Sequence, residues 1–268
     1  DGNKVIKEPY HVDWDLSSAE KNGYAHFMLK EIHEQPKALR DTMNPRFVRG
    51  ADGAITGVSF GEIADNSAVW QNARRVVITA CGTAYHAGVV AQYAFEKFAR
   101  LPVVVDVASE FRYRDPILQK DDVFIVVSQS GETADTLAAL RLAKAAGVHV
   151  IAITNCVGST VSREADEVIY TWAGPEIAVA STKAYTTQLA CLYLLALQCA
   201  FVRGTIADAE YRRLLESLST VPDLVERELS DQSSIQKFVA QNFNKEKVFF
   251  IGRQFDSATS LECALKLK

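Results

Sequence analysis

The sequence predicts an α/β protein in which helices cover both faces of a five-stranded parallel sheet. Short apolar runs rich in β-branched residues alternate with helical segments, and the links between them are short. The clearest unit is the run 123–127, followed by the polar loop 128–133 and by a helical pattern that ends near Gly147. Because such runs are typical of strands buried on both faces, a doubly wound three-layer α/β/α domain is expected.

The amino-terminal part differs from this pattern. Residues 1–45 are polar and charged, and within them 25–40 are predicted to form a helix. An apolar stripe on that helix should pack on another part of the molecule, since the segment has no core of its own. The stripe would consist of Phe27, Leu29, Ile32 and Leu39.

The remaining elements follow in regular order. The uncharged segment 184–202 is long enough to cross a bilayer, but Thr186, Gln188 and Gln198 favour a helix central to a globular core. Amphipathic helices are expected over residues 206–244, with breaks at Pro222 and Ser230. The predicted strands are 76–79, 103–107, 123–127, 149–153 and 167–170, and a new first strand is expected at 247–253.

Composition excludes several functional classes. A chain of 268 residues with a net charge of −4 does not favour non-specific nucleic-acid binding. The five Cys include no C-x-x-C pair, so reduced thiols in a cytoplasmic protein are expected rather than disulfides or a zinc site. Neither a cofactor, nor a metal, nor a membrane partner is predicted.

Two polar loops follow strands of the predicted sheet. In a flavodoxin-like strand order the first and third strands are neighbours, so loops 81–83 and 128–133 should face one crevice. Hydroxyls, one Gly and a helix amino terminus suit a phosphate group. The alternative is that Ser130 only caps the helix, and Glu132 argues against an anion unless its carboxylate points away. Neither loop matches a nucleotide-binding motif, so a nucleotide is the less favoured ligand.

Other polar residues have a structural and a chemical interpretation. Cys81 is expected to line the crevice rather than to act as a nucleophile. His86 could act as a base or only pack on its helix. Ser181 could cap the helix that follows. Lys183 could face solvent or, as the less favoured alternative, form an ion pair or bind a ligand, and Lys266 is by default solvent-exposed.

Several longer motifs together resemble the sugar-isomerase (SIS) domains of the glucosamine-6-phosphate synthase family. The resemblance covers nearly the whole chain, and the 179–188 motif is far more specific than the 128–133 loop. It implies a helical lead-in at 1–49, a first SIS domain at 50–204, a helical linker at 205–246 and the start of a second SIS domain at 247–268, in a chain shortened at both ends. The motifs are 27–36, 81–87, 128–133, 179–188 and 261–268.

The resemblance also implies roles for individual residues. Ala84 stands where the family often has Ser, so one polar contact with the sugar would be lost. Lys266 matches a catalytic lysine of the isomerase site, whose surroundings could lower its pKa for proton transfer. The matching substrate-binding residues are Ser128, Gln129, Ser130 and Thr133 at the phosphate, Cys81, Gly82 and Thr83 along the sugar, and Val179 and Ser181 over its hydroxyls.

The reaction implied by the resemblance converts fructose 6-phosphate and glutamine into glucosamine 6-phosphate and glutamate. Expected partners are fructose 6-phosphate, glucosamine 6-phosphate or glucose 6-phosphate, a glutaminase domain on the same polypeptide, and a second copy in a homodimer. The family also uses a Glu, a His from the neighbouring protomer and a Schiff-base Lys that lie beyond residue 268, so the chain alone should bind weakly and not turn over. The alternatives are another SIS enzyme acting on sugar-phosphate amines, such as a deglycase or deaminase, and a non-catalytic sugar-phosphate sensor.

Overall fold

A computed structural model describes residues 20–61 and 67–268. The predicted lead-in upstream of residue 20 lies outside the described residues. A two-stranded antiparallel hairpin precedes a five-stranded parallel sheet. The strands are β1 (Phe47–Arg49), β2 (Ile55–Val58), β3 (Arg75–Ala80), β4 (Val103–Val107), β5 (Asp122–Ser128), β6 (His149–Thr154) and β7 (Glu167–Tyr170).

The order of the parallel sheet is β4-β3-β5-β6-β7. β4 therefore pairs with one edge of β3, and β5, the next strand along the chain, pairs with the other edge. This is the flavodoxin-like order predicted from the sequence. β5 is central, and all seven of its residues are buried. Its run of apolar residues therefore reflects burial on both faces.

Helices cover the two faces separately, which confirms the three-layer α/β/α prediction. On β5, Ile125 and Val127 face one core, together with α1, α3 and α7, whereas Phe124 and Val126 face the other, with α4, α5 and α6. The helices are α1 (Phe27–Met43), α2 (Ser67–Asn72), α3 (Thr83–Ala94), α4 (Ala108–Phe111), α5 (Ala134–Ala145), α6 (Thr160–Glu164), α7 (Lys183–Val202), α8 (Asp208–Ser219), α9 (Val221–Ser230), α10 (Ser233–Asn242) and α11 (Phe255–Leu267).

α7 is a core helix. By length and composition it could span a membrane, but 61% of its apolar window is buried inside the protein. It packs against α1 and α3. Its uncharged character therefore follows from burial around most of its circumference.

Two sequence-based predictions are wrong in detail. The predicted strand 247–253 does not form, and no described strand lies beside these residues to share ladder hydrogen bonds with them. On α1, Leu39 is buried in the first core as the stripe predicts, but Leu29 is 37% exposed, whereas Lys30 and Glu31 are each 2% exposed. The buried face of α1 therefore carries hydrogen-bonded polar residues as well as apolar ones. The domain boundaries inferred from the resemblance remain predictions.

Candidate functional site

The two polar loops begin side by side at the carboxyl edge of the sheet. β3 and β5 are parallel neighbours, with Thr79 opposite Val126. Because both strands run in the same direction, the loops that leave them lie at the same edge. This adjacency was predicted from the sequence.

The loop after β5 is held by its own hydroxyl groups. Ser128, which is 3% exposed, accepts a hydrogen bond from the Gly131 N–H at 3.1 Å, and its Oγ lies 3.2 Å from Thr133 Oγ1. Ser130 Oγ accepts the Glu132 N–H at 3.2 Å. The residue that caps α5 is Thr133, and its side chain makes no capping hydrogen bond. Ser130 is therefore not the helix cap, and the first N–H groups of α5 remain available to an anion.

Both carboxylates near the loop are engaged elsewhere. Glu132 accepts hydrogen bonds from the Thr160 N–H and the Thr160 hydroxyl, each at 2.7 Å. These bonds hold the pKa of Glu132 below its ordinary value. Asp135, in the first turn of α5, pairs with Arg112 at 2.8 Å. The sequence argument against an anion was that the Glu132 carboxylate would repel a phosphate. In the structure this carboxylate points to the amino terminus of α6, where Thr160 binds it.

Only glycine fits at residue 131. Its φ is +65°, and a Cβ there would lie 2.1 Å from Ser159 Oγ. The Gly131 carbonyl also accepts the Val161 N–H at 3.0 Å. The backbone of the loop is therefore in direct contact with the start of α6, and no side chain at residue 131 would fit between them.

Gln129 lies in the same loop with its backbone fixed and its side chain available. Its carbonyl accepts the Asn155 N–H at 3.0 Å, while its half-buried side-chain amide has no hydrogen-bond partner in the described part of the chain. The residue can therefore offer an amide donor without loosening the loop.

The loop after β3 leads into α3. Gly82 precedes the helix with φ of +57°, and Cys81 is half-buried against the second core. Thr83 Oγ1 donates to Glu262 Oε1 at 3.0 Å and accepts from Lys266 Nζ at 2.8 Å. The structure thus brings Thr83 and Lys266 together although 183 residues separate them in sequence.

Glu262 is the centre of this cluster and was missed by the sequence reasoning. It is 4% exposed and accepts from Thr83, lies 2.7 Å from His86 Nδ1, and pairs with Lys266 at 2.8 Å. The available signal was the four-residue spacing of Glu262 and Lys266, which places both on one face of a helix. Lys266 is therefore held against α3 and is not a solvated surface residue.

Tyr185 lies close to the same cluster. Burial, followed by the negative charges of nearby groups including Glu262, raises the pKa of the Tyr185 phenol above its ordinary value. An ordinary phenol is already neutral at neutral pH, and the raised pKa makes its ionisation still less favourable. Sequence reasoning did not single it out.

The segment before α7 carries two predicted sugar contacts. Val179 is fully exposed. Ser181 Oγ donates to Glu176 Oε2 at 2.8 Å, and the other oxygen of Glu176 accepts the Thr182 and Ala184 N–H groups. Glu176, rather than Ser181, thus satisfies the amino terminus of α7. Contact of Val179 and Ser181 with a sugar remains a prediction.

Lys183 forms an ion pair, which was the less favoured of its two interpretations. Its side chain is 3% exposed and donates to Glu34 Oε2 at 2.6 Å. A buried ammonium requires such a partner, so this residue joins α7 to α1 rather than facing solvent.

The cysteines behave as isolated thiols. All five are free; Cys191 and Cys199 are buried, whereas Cys81, Cys156 and Cys263 are half-buried. Burial raises the pKa of Cys156, with a smaller contribution from Glu132, so this thiol is not activated as a nucleophile. In the described ranges no cluster of three or more His, Cys, Asp or Glu side chains could hold a metal ion.

Comparison with known proteins relates this geometry to a family. A model of the SIS domain matches residues 71–198. The isomerizing glutamine–fructose-6-phosphate aminotransferase of Clostridium acetobutylicum is 53% identical over 268 residues, which span 43% of that protein. The chain thus covers less than half the length of this relative.

Solved structures agree with that assignment. The C-terminal domain of glucosamine-fructose-6-phosphate aminotransferase from Francisella tularensis has a TM-score of 0.85 and 38% identity, over 93% of this chain and 68% of that one. Glucosamine-6-phosphate deaminase from Thermotoga maritima, with a TM-score of 0.62 and 21% identity over 90% and 66% of the two chains, shares the fold alone. The resemblance noted from the motifs is confirmed, and the chain belongs to the SIS-domain family of the glutamine–fructose-6-phosphate aminotransferases.

Proposed function

We propose that the chain binds a hexose 6-phosphate at the carboxyl edge of β3 and β5, as the isomerase part of a glutamine–fructose-6-phosphate aminotransferase. The whole enzyme would convert fructose 6-phosphate and glutamine into glucosamine 6-phosphate and glutamate. The observation that carries this proposal is the loop 128–133. Among the described residues, it combines N–H groups at the start of α5 that no side chain caps with two nearby carboxylates, Glu132 and Asp135, that are engaged elsewhere.

Each part of the site has a distinct role in this proposal. Ser128, Gln129, Ser130 and Thr133 would hold the phosphate, with Cys81, Gly82 and Thr83 along the sugar and Val179 and Ser181 over its hydroxyls. Lys266 would transfer a proton at the sugar carbons. Its contact with Thr83 supports this role, because that contact places an amine next to a predicted sugar-binding hydroxyl.

The wider assembly belongs to the same proposal. We infer a cytoplasmic homodimer in which a glutaminase domain on the same polypeptide supplies ammonia. The Glu, His and Schiff-base Lys implied by the family are not among these 268 residues. The chain alone is therefore expected to bind fructose 6-phosphate weakly and to produce no glucosamine 6-phosphate.

The test is removal of the phosphate donors. In the triple variant Ser128→Ala, Ser130→Ala, Thr133→Ala, fructose 6-phosphate should no longer raise the unfolding temperature, whereas it should do so for the unchanged chain. Because Ser128 also supports the loop, the measured quantity is the ligand-induced shift rather than the unfolding temperature itself.

A matched control removes three hydroxyls from the exposed face of α8 and its end. The variant Ser217→Ala, Ser219→Ala, Thr220→Ala loses only bonds to carbonyl groups of its own helix, and it should keep the full shift. Equal shifts in the loop variant and the unchanged chain would overturn the proposal. A deaminase or deglycase, or a non-catalytic sensor, would share this binding. Proton exchange at the sugar in heavy water, measured on the full-length enzyme, separates a sensor from the enzymes.

A further inference from the structure

The segment 174–182, which we name the sugar loop, is tied to the protein from three directions. At its start, Asn155 Nδ2 donates to the Gly174 carbonyl at 2.7 Å. At its end, Glu176, which belongs to the segment itself, accepts the Ala184 N–H in the first turn of α7 at 3.1 Å. The third tie comes from α1, an element outside the residues matched by the SIS model.

That third tie is the carboxylate of Glu31. Its Oε1 accepts the Ile177 N–H at 2.6 Å and the Ala178 N–H at 3.1 Å. Glu31 is 2% exposed. Its other oxygen, Oε2, is buried and has no hydrogen-bond partner among the residues that the structure describes.

Packing alone does not account for this residue. An apolar side chain could fill the same space, whereas a buried carboxylate carries a desolvation cost unless its hydrogen bonds compensate. Here both bonds go to consecutive backbone groups of one loop, and charge-assisted bonds of this kind are stronger and more directional than neutral ones. Glu31 therefore fixes the backbone of the sugar loop at residues 177 and 178.

A second carboxylate on the same face of α1 acts at the end of the loop. Glu34 lies three residues after Glu31, so the two share a helix face. It binds Lys183, the first residue of α7. Between the ties at residues 178 and 181 remain only Val179, which is fully exposed, and Ala180. The position of that tip depends on α1.

We propose that Glu31 is a positioning residue of the sugar site, which holds the Val179–Ser181 segment where it can close over the hydroxyls of the bound sugar. This inference rests on the proposed function. It makes the lead-in helix part of the binding site, although α1 contributes no residue to the phosphate loop. Loss of Glu31 should weaken the affinity for the sugar part of the ligand and leave binding of the phosphate group by the loop 128–133 unchanged.

The experiment compares two ligands on the 268-residue chain by isothermal titration. Glu31→Leu should weaken binding of fructose 6-phosphate by about threefold to tenfold, because the loop must then be ordered at the expense of binding free energy. Binding of inorganic phosphate should not change. Glu31→Gln, which keeps one acceptor oxygen for the two N–H groups, should restore most of the affinity. Asp41→Asn, on an exposed part of the same helix, is the matched control.

Hydrogen exchange reports on the tie itself. The amides of Ile177 and Ala178 should exchange faster in Glu31→Leu than in the unchanged chain, while those of β5 stay protected. Unchanged affinity for fructose 6-phosphate in Glu31→Leu, or an equal loss for phosphate and sugar phosphate, would overturn the positioning role. If the unchanged chain bound neither ligand, the proposed function itself would fail. This outcome is distinct from failure of the positioning role, because it is seen without any substitution.

Discussion

At the scale of single residues, the orientation of one carboxylate decides whether the loop after β5 can accept an anion. Glu132 lies between Ser130 and Thr133, two of the three loop residues that carry hydroxyls, and its side chain turns to Thr160. The sequence shows the charge but not its direction. The direction depends on α6, which packs against the loop and presents its first N–H group.

The lowered pKa of Glu132 gives a pH prediction. In the folded state the pKa of Glu132 lies below its unfolded value of about 4.3. The ionised Glu132 carboxylate therefore stabilises the fold fully above the unfolded pKa, and this stabilisation is lost as the pH falls through the folded-state pKa. Glu132→Gln should therefore show a smaller loss of unfolding free energy on acidification than the unchanged chain. Urea titrations across the acidic range measure this. Glu246→Gln, an exposed carboxylate elsewhere, is the control, and superimposable curves for Glu132→Gln and the unchanged chain would contradict the prediction.

Gly131 gives a stability prediction of a different kind. Gly131→Ala must adopt a left-handed backbone conformation, at about 1–2 kcal/mol, and must also displace Ser159, at about 1–3 kcal/mol. Gly204→Ala is the matched control, since its φ is +69° and nothing lies within 4 Å of an added Cβ. Urea unfolding should show the larger loss for residue 131. Equal losses would mean that the contact with Ser159 relaxes freely.

At the scale of elements, a buried carboxylate joins α11 to α3. Glu262 brings the amine of Lys266 to Thr83 and also binds His86. Both helices contact each other closely, yet much of α11 is exposed, and only Ala258 and Glu262 on it are buried. The polar cluster around Glu262 therefore contributes much of the contact that holds α11 against α3.

Removing that carboxylate should release α11. Glu262→Leu leaves Lys266 and His86 without their buried acceptor, which costs about 1–3 kcal/mol for an unsatisfied buried group. Hydrogen exchange in residues 255–267 should increase while exchange in β5 does not. Leu261→Gln, at the adjacent position that is 47% exposed, should leave α11 protected. If both variants behaved alike, apolar packing rather than Glu262 would hold the helix.

At the scale of the whole molecule, burial decreases from the sheet outward along the chain. Every residue of β5 is buried, α8 buries Tyr211 and Leu215, and α10 buries none. Local opening free energies follow the number of buried apolar contacts. The protein should therefore not open as a single unit.

This gradient predicts an order of hydrogen exchange. Amides of β5 should exchange most slowly, those of α8 at an intermediate rate, and those of α10 fastest, as measured by mass spectrometry of peptic peptides. α8 is the internal comparison, because it is a helix of similar length with a buried face. Protection of α10 equal to that of β5 would contradict the prediction.

The sequence predicted the topology of the sheet but not the side-chain contacts between elements that are distant along the chain. The strand order and the adjacency of the two loops follow from the alternation of strands and helices. The contacts of Lys183 with Glu34, of Glu31 with the 177–178 backbone and of Glu262 with Thr83 do not, because the residues in each contact lie more than one hundred positions apart. Sequence periodicity reports which face of an element is buried, but not which residue of another element meets it.

The sequence by itself determined the three-layer fold, the placement of the hydroxyl loop at a helix amino terminus and the family, because hydrophobic periodicity and short motifs are local properties of the chain. The tertiary structure alone decided that the Glu132 side chain turns to α6, that Lys266 meets Thr83, and that α1 holds the segment 174–182 through Glu31. These are hydrogen bonds and ion pairs between distant segments. Their existence depends on distances of about 3 Å, which only the packing of helices against the sheet can set.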